Sequence, residues 1–462
     1  MWSTTKLLIA FKDSPSNPET EMDNKTLAAI AIDDTDSKNG MCTTYVAYLL
    51  VEQFLKKGVS FEDYPFLIRL NPNIPWKTRG NGAVSLKFRT EDPEKAYEDA
   101  CTVISKYSEL ENQANPGVVM STISPPNIEV SNFAETALSE VVSRREAISL
   151  MKRHNIQYRG WGKQRGLIGA LAAIGNLLQH DTTFELLAFR SKENWGHRRS
   201  VDNKSVIDMS RKAYPYTFNC YDEEKRRVLV TPRGPDPVLL GIRGEYPKKV
   251  LQAYRMIKID ETVRGYLIFK TNQGTGAHLK SKLDLGDLKA YRSGHFDCIV
   301  AEPPKAGIGG HVYLKVKNEE GYADCAAYEP TGRFRKAVLS LITGDLIEIA
   351  GSVRKRTSKH PTIINMESLL IKNIAEDIRF VNPDCNVCGK RMSSKGQRQG
   401  FHCDSCKKTN RQAEKVKFEN PRTIQVGLYI PPPRAQRHLT KPKQRYLLQR
   451  KVHSPLIDHW FN

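Results

Sequence analysis

Four cysteines towards the C-terminal end set the strongest constraint on how this chain can fold. They form two CxxC pairs, Cys385 with Cys388 and Cys403 with Cys406, separated by a short segment rich in Gly, Ser and Lys. Two thiolate pairs at this spacing can each hold one side of a tetrahedral Zn²⁺. A redox CxxC would need a βαβ context and no second copy. We therefore predict a structural zinc ribbon, in which four sulfurs leave the metal no open position.

The rest of the chain is too long for a single hydrophobic core. Its 462 residues predict roughly three or four domains. The other five cysteines are scattered, which is typical of reduced thiols and not of a secreted disulfide framework. No apolar run reaches about 18 residues, and the first residues lack the longer apolar region of a signal peptide. We therefore expect a cytoplasmic protein without membrane association.

The net charge of the chain predicts an acidic partner. Lys and Arg number 71 against 51 Asp and Glu, which gives a formal charge of +20. Nucleic acid is the commonest partner of so basic a protein, because each phosphate contact releases counterions. A generally basic proteome is the alternative explanation. The basic residues that surround the predicted ribbon are Lys390, Arg391, Lys395, Arg398, Lys407, Lys408 and Arg411.

An acidic loop follows the first apolar segment of the folded region. Residues 27–33 have the composition of a buried strand, and Asp33, Asp34 and Asp36 come at its end. Ligands bind at the C-terminal ends of strands in α/β sheets, and carboxylates at this spacing suit Mg²⁺. The loop leads into a predicted helix over 43–57, whose N-terminus favours phosphate. A solvated turn with Asp and Ser as helix caps fits the local pattern equally well.

A second loop combines cations with glycines. The sequence KTRGNG covers residues 77–82, just before a predicted strand. Such a turn can bring the backbone close to phosphate, although Gly-Asn-Gly alone is more often only a tight turn. The chain contains no Walker A loop and no SGGxDS-type loop, so an ATP site in it must be of another kind.

The predicted element types change along the chain. Strands and helices alternate at first, continue as a mixed pattern to about residue 285, and give way to short strands from about residue 296. Turn residues at intervals of about 10–15 residues in that stretch predict a five-stranded barrel. The fold class is therefore multidomain, α/β followed by β. The expected divisions are a disordered extension (1–26), an α/β unit (27–143), a mixed unit (144–290), the barrel (291–374), the ribbon (375–412) and a basic tail (413–462).

Two segments closely resemble motifs of one family. IDDTDSKNGMCTTY (32–45) and RLNPNIPWKTRGNGAV (69–84) are similar to segments of the archaeal tRNA(Ile) 2-agmatinylcytidine synthetases, TiaS. The resemblance extends from about residue 27 to about residue 445. It implies that the unit 27–143 is a kinase-like ATP-binding catalytic domain and the unit 144–290 a ferredoxin-like domain. The barrel (291–374) would be an OB-fold, and the unit 375–412 a zinc ribbon. Besides the ribbon, the further segments that match in the family's order are NPGVV (115–119), RGLIGALAAIGN (165–176), DPVLLGIRGE (236–245), FKTNQGTGAHL (269–279), AAYEPTGRFR (326–335) and RAQRHLTKP (434–442).

The resemblance also implies a reaction. Enzymes of this family use ATP to attach agmatine to C2 of the wobble cytidine of tRNA(Ile), whose anticodon is CAU, and release AMP and phosphate. The modified base pairs with adenosine, so that the tRNA reads AUA as isoleucine. The implied cofactors are ATP and Mg²⁺, beside the structural Zn²⁺. Two rival functions stay open: a tRNA-binding protein without catalysis, and an ATP-dependent modifier that uses another amine.

The same resemblance implies roles for individual residues. Asp33, Asp34 and Asp36 are expected to hold Mg²⁺–ATP. Thr43 is expected to be autophosphorylated by the γ-phosphate, with Thr44 as the second choice and helix capping alone as the alternative. A surface turn with solvated cations is the alternative for the second loop. The residues expected to line the ATP or cytidine pocket are Lys77, Arg79, Asn81 and Gly82.

The substrates agmatine and tRNA have candidate residues as well. Asp208 and Glu245 are the acidic candidates for agmatine between the first two domains, although either could form a structural ion pair. We expect tRNA to bind the barrel, the ribbon and an extended tail. The aromatic and basic residues available on the barrel, some of which must fill its core, are Tyr313, Tyr322, Tyr328, Phe334, Arg333, Arg335 and Lys336. Those available on the tail are Arg434, Arg437, His438, Lys441, Lys443 and Arg445.

Overall fold

The computed structural model describes residues 25–358, 361–446 and 454–462. Residues 1–24 lie outside the described residues, and with them nearly all of the extension expected over 1–26. In the part of the chain that is described, no helix combines the length and the apolar character needed to cross a membrane.

One large sheet organises the chain up to residue 271. Ten described strands form it in the order β6-β5-β1-β4-β3-β12-β7-β11-β8, with β2 paired to β4, while β9 and β10 pair with each other. The strands are β1 (Thr26–Asp33), β2 (Ser60–Phe61), β3 (Phe66–Arg69), β4 (Gly82–Thr90), β5 (Gly117–Ser121), β6 (Gln157–Gly160), β7 (Thr183–Arg190), β8 (Thr217–Phe218), β9 (Tyr221–Asp222), β10 (Arg227–Val228), β11 (Val238–Gly244) and β12 (Val263–Thr271).

Helices cover both faces of this sheet. Alternation along β1 turns Ile30 and Ile32 to the face that packs with Val46 of α1, and Ala31 to the opposite face, which packs with Ala170 of α5. The sheet is therefore buried on both sides, which explains its nearly continuous apolar strands. The helices are α1 (Thr43–Lys56), α2 (Pro93–Tyr107), α3 (Ile128–Ser139), α4 (Arg144–Arg153), α5 (Gly166–Gly175), α6 (Asn203–Lys212) and α7 (Pro247–Arg255).

The sheet continues across the division expected at residues 143 and 144. Strand β6 pairs with β5, and α5 packs against both β1 and β5. The sheet has two halves: strands β1 to β6 form the first, and β7, β8, β11 and β12 form the second. The parallel pairing of β3 with β12, at Phe66 with Lys270 and Leu67 with Thr271, joins them. The segment that follows residue 143 therefore begins inside the first half, and the halves meet at the edge where β1, β3 and β4 carry the two predicted loops.

A closed barrel follows, as the sequence predicts. It consists of β13 (Ser293–Ala306), β14 (Val312–Asn318), β15 (Gly321–Ala327), β16 (Leu346–Arg354) and β17 (Ile363–Asn373), with helix α8 (Arg333–Leu339) packed against it. Strand β15 pairs with β14 on one side and with β17 on the other, which closes the five strands into a ring. The predicted five-stranded barrel is confirmed.

The cysteine module stands at the end of a two-stranded arm. The arm pairs β18 (Asp377–Val381) with β22 (Val416–Asn420), and the module between them carries the short strands β19 (Ser393–Ser394), β20 (Phe401–His402) and β21 (Thr409–Asn410). After the arm the chain returns to the barrel, where β23 (Gly427–Tyr429) pairs with β17.

The C-terminal segment (413–462) packs on the body of the molecule in its described part beyond the arm, residues 421–446 and 454–462, which corrects the expectation of an extended basic tail. The Arg434 guanidinium lies 2.9 Å from an Asp222 carboxylate oxygen, and the fully buried Arg445 pairs with Glu245 at 2.5 Å. The Tyr48 ring stacks on Phe461. These two arginines are neutralised inside the protein, because distant parts of the sequence supply a carboxylate for each, and they are not free to bind tRNA.

Candidate active site

A cavity of 420 Å³ opens where β1 ends and the two halves of the sheet meet. It brings the acidic loop and the start of α1 together with the KTRGNG loop, which lies about 40 residues further along the sequence. Apolar residues, among them Trp76 and Val141, line part of the same cavity. The predicted residues that line it are Asp33, Asp34, Asp36, Thr43, Lys77, Arg79, Asn81 and Gly82.

Residues at the start of α5 contact the acidic loop. Arg165 grips Asp34 with two hydrogen bonds of 3.0 Å, from Nε to Oδ2 and from Nη2 to Oδ1. A Cβ at Gly169 would lie 2.0 Å from Oδ2 of Asp33. Only a glycine therefore lets α5 approach the Asp33 carboxylate this closely.

The carboxylates of Asp33, Asp34 and Asp36 repel one another and are largely shielded from solvent. Burial is the main cause that raises the pKa of Asp33, Asp34 and Asp36 above the ordinary value. Repulsion from Asp34 adds to the rise at Asp33, whereas Arg165 and Arg79 oppose it at their partners. Carboxylate oxygens are the ligands that Mg²⁺ prefers, and a divalent cation would offset the excess of negative charge. Carboxylates are thus the right donor type for the expected metal. Arg165 holds both oxygens of Asp34, and Thr78 and Arg79 hold those of Asp36, so a bound ion would have to share or displace these contacts.

The start of α1 faces the same cavity with its backbone N–H groups. The N-cap of α1 is Cys42, whose side chain makes no capping hydrogen bond, and Thr43 is the first residue inside the helix. The alternative of Thr43 as a helix cap only is therefore wrong. The Thr43 hydroxyl is buried and lies 3.2 Å from that of Thr35. The Thr44 hydroxyl lies 2.9 Å from the Cys42 sulfur. Free N–H groups at a helix start favour phosphate.

Arg79 fastens the KTRGNG loop to the acidic loop. Its guanidinium donates to Asp36 at 2.5 Å and to the carbonyls of Met41 at 2.7 Å and Ser37 at 2.9 Å. Thr78 donates to the other oxygen of Asp36 at 2.9 Å. The alternative of a surface turn with a solvated arginine is therefore wrong for Arg79, which orders the acidic loop.

The other predicted members of this loop make backbone contacts. Lys77 donates to the Arg79 carbonyl at 3.1 Å, and the Asn81 side chain donates to the Asn71 carbonyl at 2.8 Å. Asn81 has a φ of +50°, a left-handed conformation that asparagine tolerates better than most residues. A Cβ at Gly82 would lie 2.9 Å from the Arg69 guanidinium.

Neither acidic residue expected to hold agmatine lies on this cavity. Asp208 lies on α6, away from the cavity lining, and Glu245 is occupied by Arg445. Two buried carboxylates line the cavity from the second half of the sheet. Glu185 pairs with Arg69 and Arg243, whereas Asp236 lies 3.3 Å from Arg199 and 3.8 Å from Arg79. Sequence reasoning missed Asp236 and Arg165 because neither has a local pattern, although each begins a segment that resembles the family.

The four module cysteines converge as a metal site requires. Their sulfurs all lie within 4.8 Å of one another, and those of Cys388 and Cys403 are 3.5 Å apart. Backbone hydrogen bonds from Val387 and Cys388 lower the pKa of Cys385 to about 7, which favours the thiolate that zinc binds. The predicted four-cysteine zinc site is confirmed as an arrangement of ligands.

Comparison with known proteins agrees with this geometry. Residues 29–91 match the family model of the TiaS TCKD domain, 164–278 that of the TiaS FLD domain, and 382–424 that of the TiaS C-terminal zinc ribbon domain. The 2-agmatinylcytidine synthetase TiaS of Cenarchaeum symbiosum, which acts on an isoleucine tRNA, is 41% identical over 418 residues, which are 90% of this chain and 92% of that protein. The chain belongs to the TiaS family. The TiaS of Methanosarcina mazei is likewise 41% identical, over 90% of this chain and 97% of its own.

Solved TiaS structures share the fold. The crystal structure of apo TiaS superposes with a TM-score of 0.83 at 37% identity, over 93% of this chain and 99% of its own. The TiaS complex with its isoleucine tRNA, AMPCPP and agmatine gives a TM-score of 0.81 at 35% identity, over 94% and 99%. A TiaS variant without its ZRD, bound to agmatine, gives 0.71 at 30%, over 94% and 99%.

Proposed function

We propose that this chain ligates agmatine to C2 of the wobble cytidine of tRNA(Ile) with the anticodon CAU, using ATP and releasing AMP and phosphate. The observation that carries the proposal is the joining of the acidic loop, the Thr43 hydroxyl and the KTRGNG loop in one cavity between the halves of the sheet. A TiaS relative solved with its isoleucine tRNA, AMPCPP and agmatine supports it. The proposal includes a cytoplasmic location, where tRNA is used.

The proposal keeps the finer names and limits of the units. They are a kinase-like catalytic domain (27–143), against whose sheet β6 and α5 also pack, a ferredoxin-like domain in the rest of 144–290, an OB-fold (291–374), a zinc ribbon (375–412) and a C-terminal segment (413–462). The names of the second and fourth units are supported by the matches to the FLD and zinc ribbon models.

The chemistry explains why one cavity needs both phosphate-binding and amine-binding groups. The C2 carbonyl of cytosine is a poor electrophile, and its oxygen is a poor leaving group. Phosphorylation of that oxygen solves both problems. Release of AMP means that ATP gives up two phosphoryl groups, of which one goes to Thr43 and is later released by water and the other goes to the C2 oxygen. The agmatine amine then attacks C2, and that oxygen departs with its phosphate. Phosphoryl transfer depends mainly on positioning and on stabilising charge.

Each predicted residue then has a task. Asp33, Asp34 and Asp36 would hold Mg²⁺, which when bound neutralises charge on the ATP phosphates. The N–H groups at the start of α1 bind phosphate oxygens, and the buried Thr43 hydroxyl accepts the γ-phosphate. Arg79 keeps Asp36 and the loop carbonyls in place. Asn81 and Gly82 give the KTRGNG loop the backbone shape that brings it close to the nucleotide.

We assign the guanidinium of agmatine to Asp236 and not to Asp208 or Glu245. Burial is the largest cause that raises the pKa of Asp236, so its charge is incompletely compensated by Arg199 and Arg79. A planar guanidinium can pair with a carboxylate through two parallel hydrogen bonds. Asp236→Asn should raise the KM for agmatine at least about tenfold, a loss of roughly 1.4 kcal/mol, and leave the KM for ATP unchanged. An unchanged KM for agmatine would contradict the assignment.

The tRNA has candidate contacts on the barrel and at the mouth of the cavity. Tyr313 and Tyr322 are 41% and 66% exposed on the outer face of the paired strands β14 and β15, whereas Phe334 fills the barrel core. Trp76 is 52% exposed where it lines the cavity, with Tyr291 packed edge-on against it at 5.8 Å. Exposed aromatic rings stack with unpaired bases, and the target cytidine must leave the anticodon stack to react.

Mass analysis of the anticodon loop tests the function against both rivals. The enzyme is incubated with tRNA(Ile), ATP and a panel of amines that includes agmatine, lysine and putrescine. We expect a mass increase at the wobble cytidine with agmatine and release of AMP only when tRNA is present. Modification with lysine in preference to agmatine would support the other modifier. Binding without AMP release would support the non-catalytic protein.

A further inference from the structure

A second cavity, of 260 Å³, adjoins the active-site cavity on the side of the C-terminal segment. The KTRGNG loop forms one of its walls, and residues 437–439 form another. Its lining contains several cations and, within the described part of the chain, no carboxylate. The lining residues are Arg69, Leu70, Pro72, Lys77, Arg79, Gly80, Arg437, His438 and Leu439.

The positive charge in this cavity is incompletely neutralised. Among the residues that the structure describes, the Lys77 ammonium donates a hydrogen bond only to the Arg79 carbonyl, at 3.1 Å. Lys77 forms no ion pair with any carboxylate in that part of the chain. Burial lowers the pKa of Lys77, and the charge of Arg437 lowers it further. Arg437 itself lies 3.4 Å from Glu367, a carboxylate that also accepts hydrogen bonds from Ser352 at 2.8 Å and Thr440 at 3.3 Å.

Arg69, which lines both cavities, carries an unsatisfied donor. Its Nε atom is buried and has no hydrogen-bond partner among the described residues. Its guanidinium shares the single carboxylate of Glu185 with Arg243, at 3.4 Å and 3.0 Å. A buried N–H group without an acceptor is unfavourable, so this wall is suited to a ligand that supplies acceptor oxygens.

Gly80 makes the approach between the two walls possible. A Cβ at this position would lie 2.6 Å from Nη1 of Arg69 and 2.8 Å from Nε2 of His438. Burial, together with the neighbouring cations of Arg69, Arg243 and Lys77, lowers the pKa of His438 well below its usual range, so this histidine is neutral. The cations of the cavity are thus Lys77 and the arginines Arg69 and Arg437, besides Arg79, which is paired with Asp36.

We propose that this second cavity is a phosphate subsite in which Lys77, Arg69 and Arg437 bind one phosphate group. The inference rests on the proposed function, which offers two sources of that group: the tRNA backbone beside the target cytidine, and ATP. A phosphate supplies acceptor oxygens and negative charge together. The subsite gives the C-terminal segment, through Arg437, a direct part in substrate binding.

The test compares Lys77→Met and Arg437→Gln with Lys95→Met, which removes an exposed cation of α2 that lies outside the cavity. tRNA binding is measured over a range of salt concentrations, and the KM for ATP is measured at saturating tRNA. If the group is an RNA phosphate, each cavity variant should lower the slope of log affinity against log salt by about 0.7–0.9 and leave the KM for ATP unchanged. If it belongs to ATP, the KM for ATP should rise at least about tenfold, as expected for a lost charged contact, with the slope unchanged.

Unchanged slopes and an unchanged KM in both cavity variants would overturn the subsite, as would an equal loss of slope in Lys95→Met. Arg437 also donates to the Pro72 carbonyl at 2.8 Å, so Arg437→Lys is included to keep the charge if Arg437→Gln does not fold. The two binding assays stand apart from the proposed function. A wild-type enzyme that binds ATP and tRNA without attaching agmatine would contradict the function and still decide the subsite.

Discussion

The carboxylates of the acidic loop are expected to lower the stability of the metal-free protein while they serve its function. Asp33 allows the most direct test of this expectation. Its raised pKa means that the folded state binds the proton more tightly than the unfolded chain. Stability therefore falls as pH rises from about 3.9 towards the raised value. At pH 7 without Mg²⁺, Asp33→Asn should stabilise the protein by on the order of 1 kcal/mol and abolish ATP turnover. Thermal unfolding with and without Mg²⁺ measures this; Mg²⁺ should stabilise only the wild type, and a lower Tm of the metal-free variant would contradict the prediction.

The two threonines at the start of α1 make a matched pair. Thr43→Val removes the hydroxyl that faces the cavity and should abolish transfer of the γ-phosphate to the protein, whereas Thr43→Ser should retain part of it. Thr44→Val is the matched variant and should keep the label. Thr44 lines the same cavity, but its hydroxyl contacts the Cys42 sulfur, whereas that of Thr43 contacts Thr35. Intact-protein and peptide mass analysis after incubation with ATP detects the phosphate. Equal labelling of Thr43→Val and the wild type would move the acceptor elsewhere.

At the scale of elements, the sequence predicted what is local. The strand, acidic loop and helix form one continuous segment, and the paired cysteines lie close together, so local spacing predicted these elements and the zinc site. It left the acidic loop open between a metal site and a helix-capping turn, and the family resemblance favoured the metal site. Arg165 and Asp236 reach the cavity only because β5, β6 and β11 join the sheet in a particular order. That order depends on pairings such as β3 with β12, across about 200 residues, which no local pattern encodes.

The zinc ribbon is the element whose loss should be tolerated by the rest of the fold. It is attached through the β18–β22 arm, and a TiaS variant without its ZRD still has a solved structure with agmatine. Replacing residues 385–406 by a short Gly-Ser linker should weaken tRNA binding and lower its salt dependence, with ATP binding nearly unchanged. Removal of zinc by a chelator should act in the same way, because a small ribbon unfolds without its metal. Undiminished tRNA affinity would assign the ribbon a structural or protein-binding role.

At the scale of the whole molecule, the C-terminal segment fastens the two halves of the sheet and the barrel to one another. Arg445 is fully buried between Glu245 and Asp181, at 2.5 Å and 2.9 Å. The basic composition of the tail predicted an exposed segment. This prediction failed because the carboxylates that neutralise Arg434 and Arg445 come from distant parts of the chain and cannot be recognised from the local sequence. Arg445→Met leaves the Glu245 carboxylate buried without its partner, while Asp181 keeps Lys441 at 3.3 Å, and should destabilise the protein by about 3–5 kcal/mol. Urea unfolding measures this loss, with Lys443→Met as the exposed control, and an effect as small as that of the control would show that the segment is held by its apolar contacts alone.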